Sequence, residues 1–141
     1  MIVLDTNVVS EAMKPRPTPA VMAWLDEQDQ PSVFICAPVL AELRFGVERL
    51  AEGRRKEALS TVINTIESAF GERILPFDRS ATRFYAQVAA KREKAGRRLE
   101  QMDGLIAAIA LAHGAIVATR DIDGFSGLGL ELINPFDLRG K

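Results

Sequence analysis

Four carboxylates sit where an alternating α/β chain most readily does chemistry. Asp5 follows directly on the apolar run Ile2-Val3-Leu4, and Glu42 falls about one helical turn into the stretch after Val33-Phe34-Ile35-Cys36-Ala37. Asp103 lies in the first turn of the apolar stretch 101–113, and Asp121 follows shortly after the run 115–118. Singly, each has an ordinary reading. Asp5-Thr6-Asn7 offers good capping types, Glu42 suits a solvated helix face, Asp103 is favoured near a helix N-terminus by roughly 0.3–1 kcal/mol, and Asp121 suits a turn. What those readings leave unexplained is why separate elements deliver acids to one edge. Two carboxylates about 4 Å apart repel by about 4 kcal/mol at an effective dielectric near 20, so such a cluster demands raised pKa values or a cation. An all-oxygen donor set without a Cys or His group suits Mg²⁺ or Mn²⁺ rather than Zn²⁺. The corresponding chemistry is phosphoryl transfer by water that the ion activates.

The elements that must position these acids follow from periodicity and breakers. Short apolar runs alternate with helical stretches, the pattern of an α/β domain with a central, mainly parallel sheet flanked by helices. Strands are expected at 2–4, 33–37, 73–77, 115–118 and 131–133. Helices are expected at 7–13, from Pro19 to about 28, from Pro38 to a stop at Gly53, and at 54–69, 79–95 (capped by Asp78) and 101–113 (ended by Gly114). In a parallel sheet, strand C-termini and the first turns of the following helices share the ligand-binding edge. Asp5, Glu42 and Asp121 reach that edge by this argument, and Asp103 joins them if its helix also starts there.

The composition is that of one ordinary globular domain, 1–141. The chain has 141 residues, 48% apolar and 26% charged, with a formal charge of -1, so any nucleic-acid surface must be local. The lone Cys36 in its apolar run reads as a small buried hydrophobe in a reduced compartment. The first residues have no basic lead of a signal peptide, and the longest uncharged stretch, 104–119, is broken at His113-Gly114. A cytoplasmic, membrane-free protein is the expectation.

The chain resembles the PIN-domain ribonucleases, specifically the VapC-type and FitB-like toxins of bacterial type II toxin–antitoxin pairs. The likeness is carried by Val3-Leu4-Asp5-Thr6-Asn7, Ala41-Glu42-Leu43-Arg44-Phe45-Gly46, Asp103-Gly104-Leu105-Ile106-Ala107-Ala108, and Val117-Ala118-Thr119-Arg120-Asp121 with Phe125 beyond. Each motif is weak alone, and the four in order are specific. The resemblance implies a PIN-domain fold, an acidic Mg²⁺ or Mn²⁺ pocket of Asp5, Glu42, Asp103 and Asp121, and Asn7 and Thr119 as polar neighbours that orient them. It also implies hydrolysis of RNA, a homodimer, and a DNA-binding antitoxin that covers the pocket; with no His pair in evidence to activate a 2′-hydroxyl, 5′-phosphate and 3′-hydroxyl ends are expected. Many relatives carry a further acid immediately before the Phe that matches Phe125. Here that position is Gly124, and Asp123, displaced by one residue, is not counted as a ligand.

RNA requires a cationic approach. The run 91–98 is rich in Lys and Arg and leads into the Asp103 helix, which makes Arg97 and Arg98 candidate RNA contacts, with Arg54-Arg55-Lys56 a second patch. Its plain alternative is a solvated helix end. His113 before Gly114 reads as a helix end, Trp24 and Tyr85 as packing residues, and Phe45 and Phe84 as exposed apolar candidates. Gly127-Leu128-Gly129 is too weak to read as a phosphate loop. Two other functions compete. A receiver-like phosphoacceptor needs an adjacent acid pair after the first strand and a late Lys, which Asp5-Thr6-Asn7 and Thr119-Arg120-Asp121 lack. A catalytically silent PIN-like binding protein is disfavoured by the four intact acids.

Overall fold

Ile2–Leu4 (β1) is apolar on both faces, as a central parallel strand must be, and Val3 and Leu4 are buried. It pairs in parallel with Val33–Cys36 (β2) on one side and Ile116–Ala118 (β4) on the other. Ile74–Leu75 (β3) adds to β2 and Leu132–Ile133 (β5) to β4, which gives an all-parallel sheet in the order β3-β2-β1-β4-β5. The chain thus builds outward from β1 to one side and then crosses to the other, so the topological switch lies between β1 and β4. This computed structural model describes residues 1–137.

Among the described residues seven α-helices flank the sheet: Thr6–Ala12 (α1), Pro19–Glu27 (α2), Ala37–Glu48 (α3), Arg54–Phe70 (α4), Arg79–Lys94 (α5), Gln101–His113 (α6) and Ile122–Phe125 (α7). Prolines open α2 and lie in the first turn of α3, where a missing N–H costs nothing. Asp78 caps α5 by accepting from Ala81 N at 3.1 Å. Gly114 ends α6 in the left-handed region at φ 63°, with His113 exposed in the last turn. Helix α6 is the buried one: the run from Ile106 to Ala110 has no exposed surface, and its alanines let neighbours approach closely. It packs along α5 and against α3, which in turn meets α1 and α4.

Most expected elements appear within a residue or two, and three differ for identifiable reasons. Helix α3 ends at Glu48, well short of Gly53; Lys56 Nζ donates to the free Glu48 carbonyl at 3.0 Å and closes it there. Gly53, at φ 152°, is instead the residue before α4. The expected strand 73–77 shrinks to β3, which pairs with β2 alone. Helix α7 was expected as a turn, but Asp121 caps it by accepting from Gly124 N at 3.0 Å. Phe84 is half-buried against the core rather than exposed, whereas Phe45 is 65% exposed, with the Arg49 guanidinium over its ring. Trp24 and Cys36 are buried, and burial pushes the Cys36 thiol up to about 12. Among the described residues no helix is long and apolar enough to cross a membrane.

Candidate functional site

Asp5 occupies the residue where β1 ends, and its backbone N donates to Ala118 O at 2.9 Å, one step beyond the last β1–β4 pair. Its side chain caps α1 through Thr6 N at 2.7 Å on Oδ1. The other oxygen accepts from Thr119 Oγ1 at 2.7 Å and Asn7 Nδ2 at 3.1 Å. Asp5 therefore caps α1 with one oxygen and leaves the other to Thr119 and Asn7. With 5% of its surface exposed, Asp5 has its pKa raised chiefly by burial. The Thr119 and Thr6 hydrogen bonds pull the other way, and the charges of Glu42 and Asp121 add to the rise.

Thr119, wholly buried, ties two loops with one hydroxyl. It donates to Asp5 and accepts from Asp121 N at 2.9 Å and Asn7 Nδ2 at 3.3 Å. Asn7 Oδ1 in turn accepts from Arg120 N at 3.1 Å. Glu42, half-buried on α3, accepts from Thr6 Oγ1 at 2.5 Å. Thr6 was not singled out from sequence, although a hydroxyl beside an acid at a strand end is the signal that could have found it.

Helix α6 does start at the same edge. Asp103 faces Asp121 across Gly124, where a Cβ would lie 2.3 Å from Asp121 Oδ2 and 2.9 Å from Asp103 Oδ2. Only a glycine lets the backbone come that close. Asp103 accepts no hydrogen bond from the described residues, and it is pushed up to about 7, first by burial and then by the charges of Asp5, Asp121, Glu42 and Glu100. All four acids thus line one cleft of about 460 Å³, with Thr6, Asn7, Ser10, Glu11, Lys14, Arg120 and Phe136 around them. An apolar groove of about 520 Å³ between α1, α2 and α4, lined by Val8, Leu25, Ile66 and Phe70 among others, lies apart from this chemistry.

Folding buries two charged residues that no local pattern marks as buried. Glu11, on the inner face of α1, accepts from Lys14 Nζ at 2.9 Å and from Thr18 N and Oγ1 at 3.0 Å each. The Lys14 contact leads in lowering its pKa. Arg92, at the end of α5, donates to Arg98 O at 3.1 Å, Gly124 O at 2.9 Å and Ser126 O at 3.1 Å, and so clasps the α7 turn. The basic run 91–98 is partly engaged in the same way. Arg97 donates to Asp123 O at 3.0 Å and Ser126 Oγ at 3.3 Å, while Arg98 pairs with Glu100 at 3.3 Å. Neither lines the cleft, where the basic residues are Lys14 and Arg120; His113 and Asp123 are also outside it.

The donor set is all carboxylate, which fits a hard divalent ion and no soft one. Among the described residues no three such side chains stand close enough to form a ready-made cage. Mg²⁺ does not require one, since it keeps several waters and takes one or two carboxylates together with substrate phosphate.

Comparison with known proteins decides the family. The PIN domain profile matches residues 2–129. The chain belongs to the PIN domain family. This PIN domain is 43% identical over 138 residues to "VapC ribonuclease Y4jK" of Sinorhizobium fredii, covering 97% of this chain and 99% of that one. It is 40% identical over 137 residues to "Toxin FitB" of Neisseria gonorrhoeae, covering 96% and 99%. In three dimensions it resembles the crystal structure of FitAcB from Neisseria gonorrhoeae, with a TM-score of 0.92, 40% identity, and coverage of 98% and 100%. It also resembles VapBC2 from Rickettsia felis bound to a promoter DNA fragment, with a TM-score of 0.80, 27% identity, and coverage of 95% and 98%. Phe136, which lines the cleft of this PIN domain, lies beyond the profile's match.

Proposed function

We propose that this PIN domain is a divalent-metal-dependent ribonuclease and the toxin of a type II toxin–antitoxin pair. The observation that carries the reading is the convergence of four carboxylates, from four different elements, on one cleft at the switch point of the sheet. Relatives named ribonuclease and toxin, aligned over nearly the whole chain, support it. Asp5, Glu42, Asp103 and Asp121 would hold Mg²⁺ or Mn²⁺. When bound, the ion supplies charge neutralisation at the phosphate and lowers the pKa of the attacking water.

The chain's own residues prepare that site. Thr119, Asn7 and Thr6 N aim both oxygens of Asp5, and Thr6 Oγ1 orients Glu42. The Gly124 N–H turns Asp121 toward the cleft. Asp103, unbridled by hydrogen bonds, is pushed up to about 7 by burial and the neighbouring acids, so a bound cation would favour its ionised form. The products would be 5′-phosphate and 3′-hydroxyl ends, because no histidine pair lies in the cleft to activate a 2′-hydroxyl.

A homodimer, a cytoplasmic location and a cognate DNA-binding antitoxin belong to the same proposal. The solved relatives are toxin–antitoxin complexes, one of them bound to promoter DNA. A groove between α1, α3 and α4 leads from Thr6 and Glu42 past Leu43, Val47, Leu50 and Leu59. It suits an antitoxin segment that buries apolar side chains there and presents a basic one to the acids. The test is incubation of purified protein with single-stranded RNA, Mg²⁺ or Mn²⁺, and end-mapping by sequencing. Cleavage that stops in EDTA, returns with added ion and leaves 5′-phosphates is the expected result; cleavage that persists in EDTA overturns the proposal.

A further inference from the structure

We propose that Arg120, seated over Phe136 at the lip of the acid cleft, binds a backbone phosphate of single-stranded RNA beside the one being cut. The inference rests on the ribonuclease reading and adds the group that receives the polyanion. A cleft lined by Asp5, Glu42, Asp103 and Asp121 repels RNA at short range, so cations adjoining it must hold the strand. Among the described residues, Lys14 and Arg120 are the basic residues that line it.

Lys14 is already engaged, its Nζ 2.9 Å from Glu11 Oε1, and drawing it away would cost Glu11, a buried carboxylate otherwise held by Thr18, its ion pair. Arg120 makes no ion pair among the described residues. Its guanidinium carbon stands 4.6 Å from the centroid of the Phe136 ring. Of the remaining arginines near this edge, Arg92 is held by three carbonyls and Arg97 by the α7 turn, and Arg98, in an exposed pair with Glu100, does not line the cleft.

Placement strengthens the case. Arg120 lies between Thr119 and Asp121, and its backbone N–H is bound by Asn7, so the residue is mounted on the site itself. A guanidinium resting on an aromatic ring is restrained before the ligand arrives, and its planar fork matches phosphate oxygens two at a time. The ring also offers a face on which a neighbouring base can stack.

The test measures anisotropy of a fluorescein-labelled single-stranded RNA with full-length Asp103→Asn protein, which leaves the RNA intact, across a salt series. Adding Arg120→Ala is expected to weaken binding about tenfold and to flatten the slope of log K against log salt by about 0.7, one phosphate on a single strand. Phe136→Leu, which keeps the arginine and removes its seat, is expected to weaken binding less, and Arg120→Lys to restore the salt slope but not the full affinity. In the otherwise wild-type chain, Arg120→Ala should raise KM more than it lowers kcat and leave Mn²⁺ affinity undiminished. Unchanged affinity and salt slope in Arg120→Ala, or a loss confined to kcat, overturns the inference while the ribonuclease reading stands. Wild-type protein that neither binds nor cuts RNA removes both.

Discussion

Asp103 is the carboxylate least supported by its own chain and most affected by its neighbours. Asp5 has Thr119, Asn7 and Thr6, Glu42 has Thr6, and Asp121 has Gly124, but Asp103 receives no hydrogen bond from the described residues. Its pKa is raised from 3.8 to about 7, so the folded state holds a proton that the unfolded chain releases. Stability from this group is complete below pH about 4 and is lost as pH rises toward 7. Asp5, raised by burial, acts in the same direction. Asp103→Asn, which removes one repelling charge, should therefore match or exceed the wild type in stability near pH 8 and show a flatter profile between pH 4 and 7. Urea denaturation at several pH values checks this. The same variant should lose RNA cleavage, and an Asn variant that keeps both the pH slope and the activity would contradict the role assigned to Asp103.

At the level of elements, the short α7 turn is what brings Asp121 to the cleft, and Arg92 on a different helix holds that turn. Its guanidinium donates to two carbonyls at the C-terminal end of the turn, Gly124 and Ser126, and to Arg98 in the segment leading to α6. Arg92→Met keeps the buried aliphatic volume but leaves three acceptors short of a charged donor. A loss of about 2–4 kcal/mol in unfolding free energy is expected. Divalent affinity should fall with it, since Asp121 and Asp103 would no longer be held against Gly124. Calorimetric titration with Mn²⁺ alongside denaturation separates the two effects, and undiminished Mn²⁺ affinity would show that the clasp is structural alone.

For the whole molecule, the sheet order places the acids. Because β1 is central and β4 joins it after the chain has built out to β3, the loops after β1 and β4 meet at the switch, while α3 and α6 bring Glu42 and Asp103 over the same edge. An ion that binds only this assembled arrangement stabilises the fold by linkage. At a hundredfold excess over Kd the gain is about 2.7 kcal/mol, roughly 5–10 °C in Tm for a domain of this size. The rise in Tm on adding Mn²⁺ should be larger at pH 8 than at pH 5, where the ion must displace the proton on Asp103, and it should vanish in Asp103→Asn. Scanning fluorimetry at the two pH values reads both outcomes.

Local information was enough to mark the strands around β1, most helix boundaries and the four acids, because apolar periodicity, prolines, glycines and capping residues act over a few positions. It told less where an element depends on a partner far along the chain. Helix α3 ends at Glu48, where Lys56 reaches back from α4 to the last carbonyl, and β3 pairs with β2 alone. The sequence could name Thr119 and Asn7 as neighbours of the site, but their shared hydrogen bonds span more than a hundred residues. Arg92 and Glu11 carry no local mark of the burial that folding imposes on them, and Thr6 shows only its capping type in the sequence. Residue type determined what chemistry was available to this protein. The tertiary structure decided which of those groups share a cleft, since burial and mutual charge exist only once distant segments are packed together.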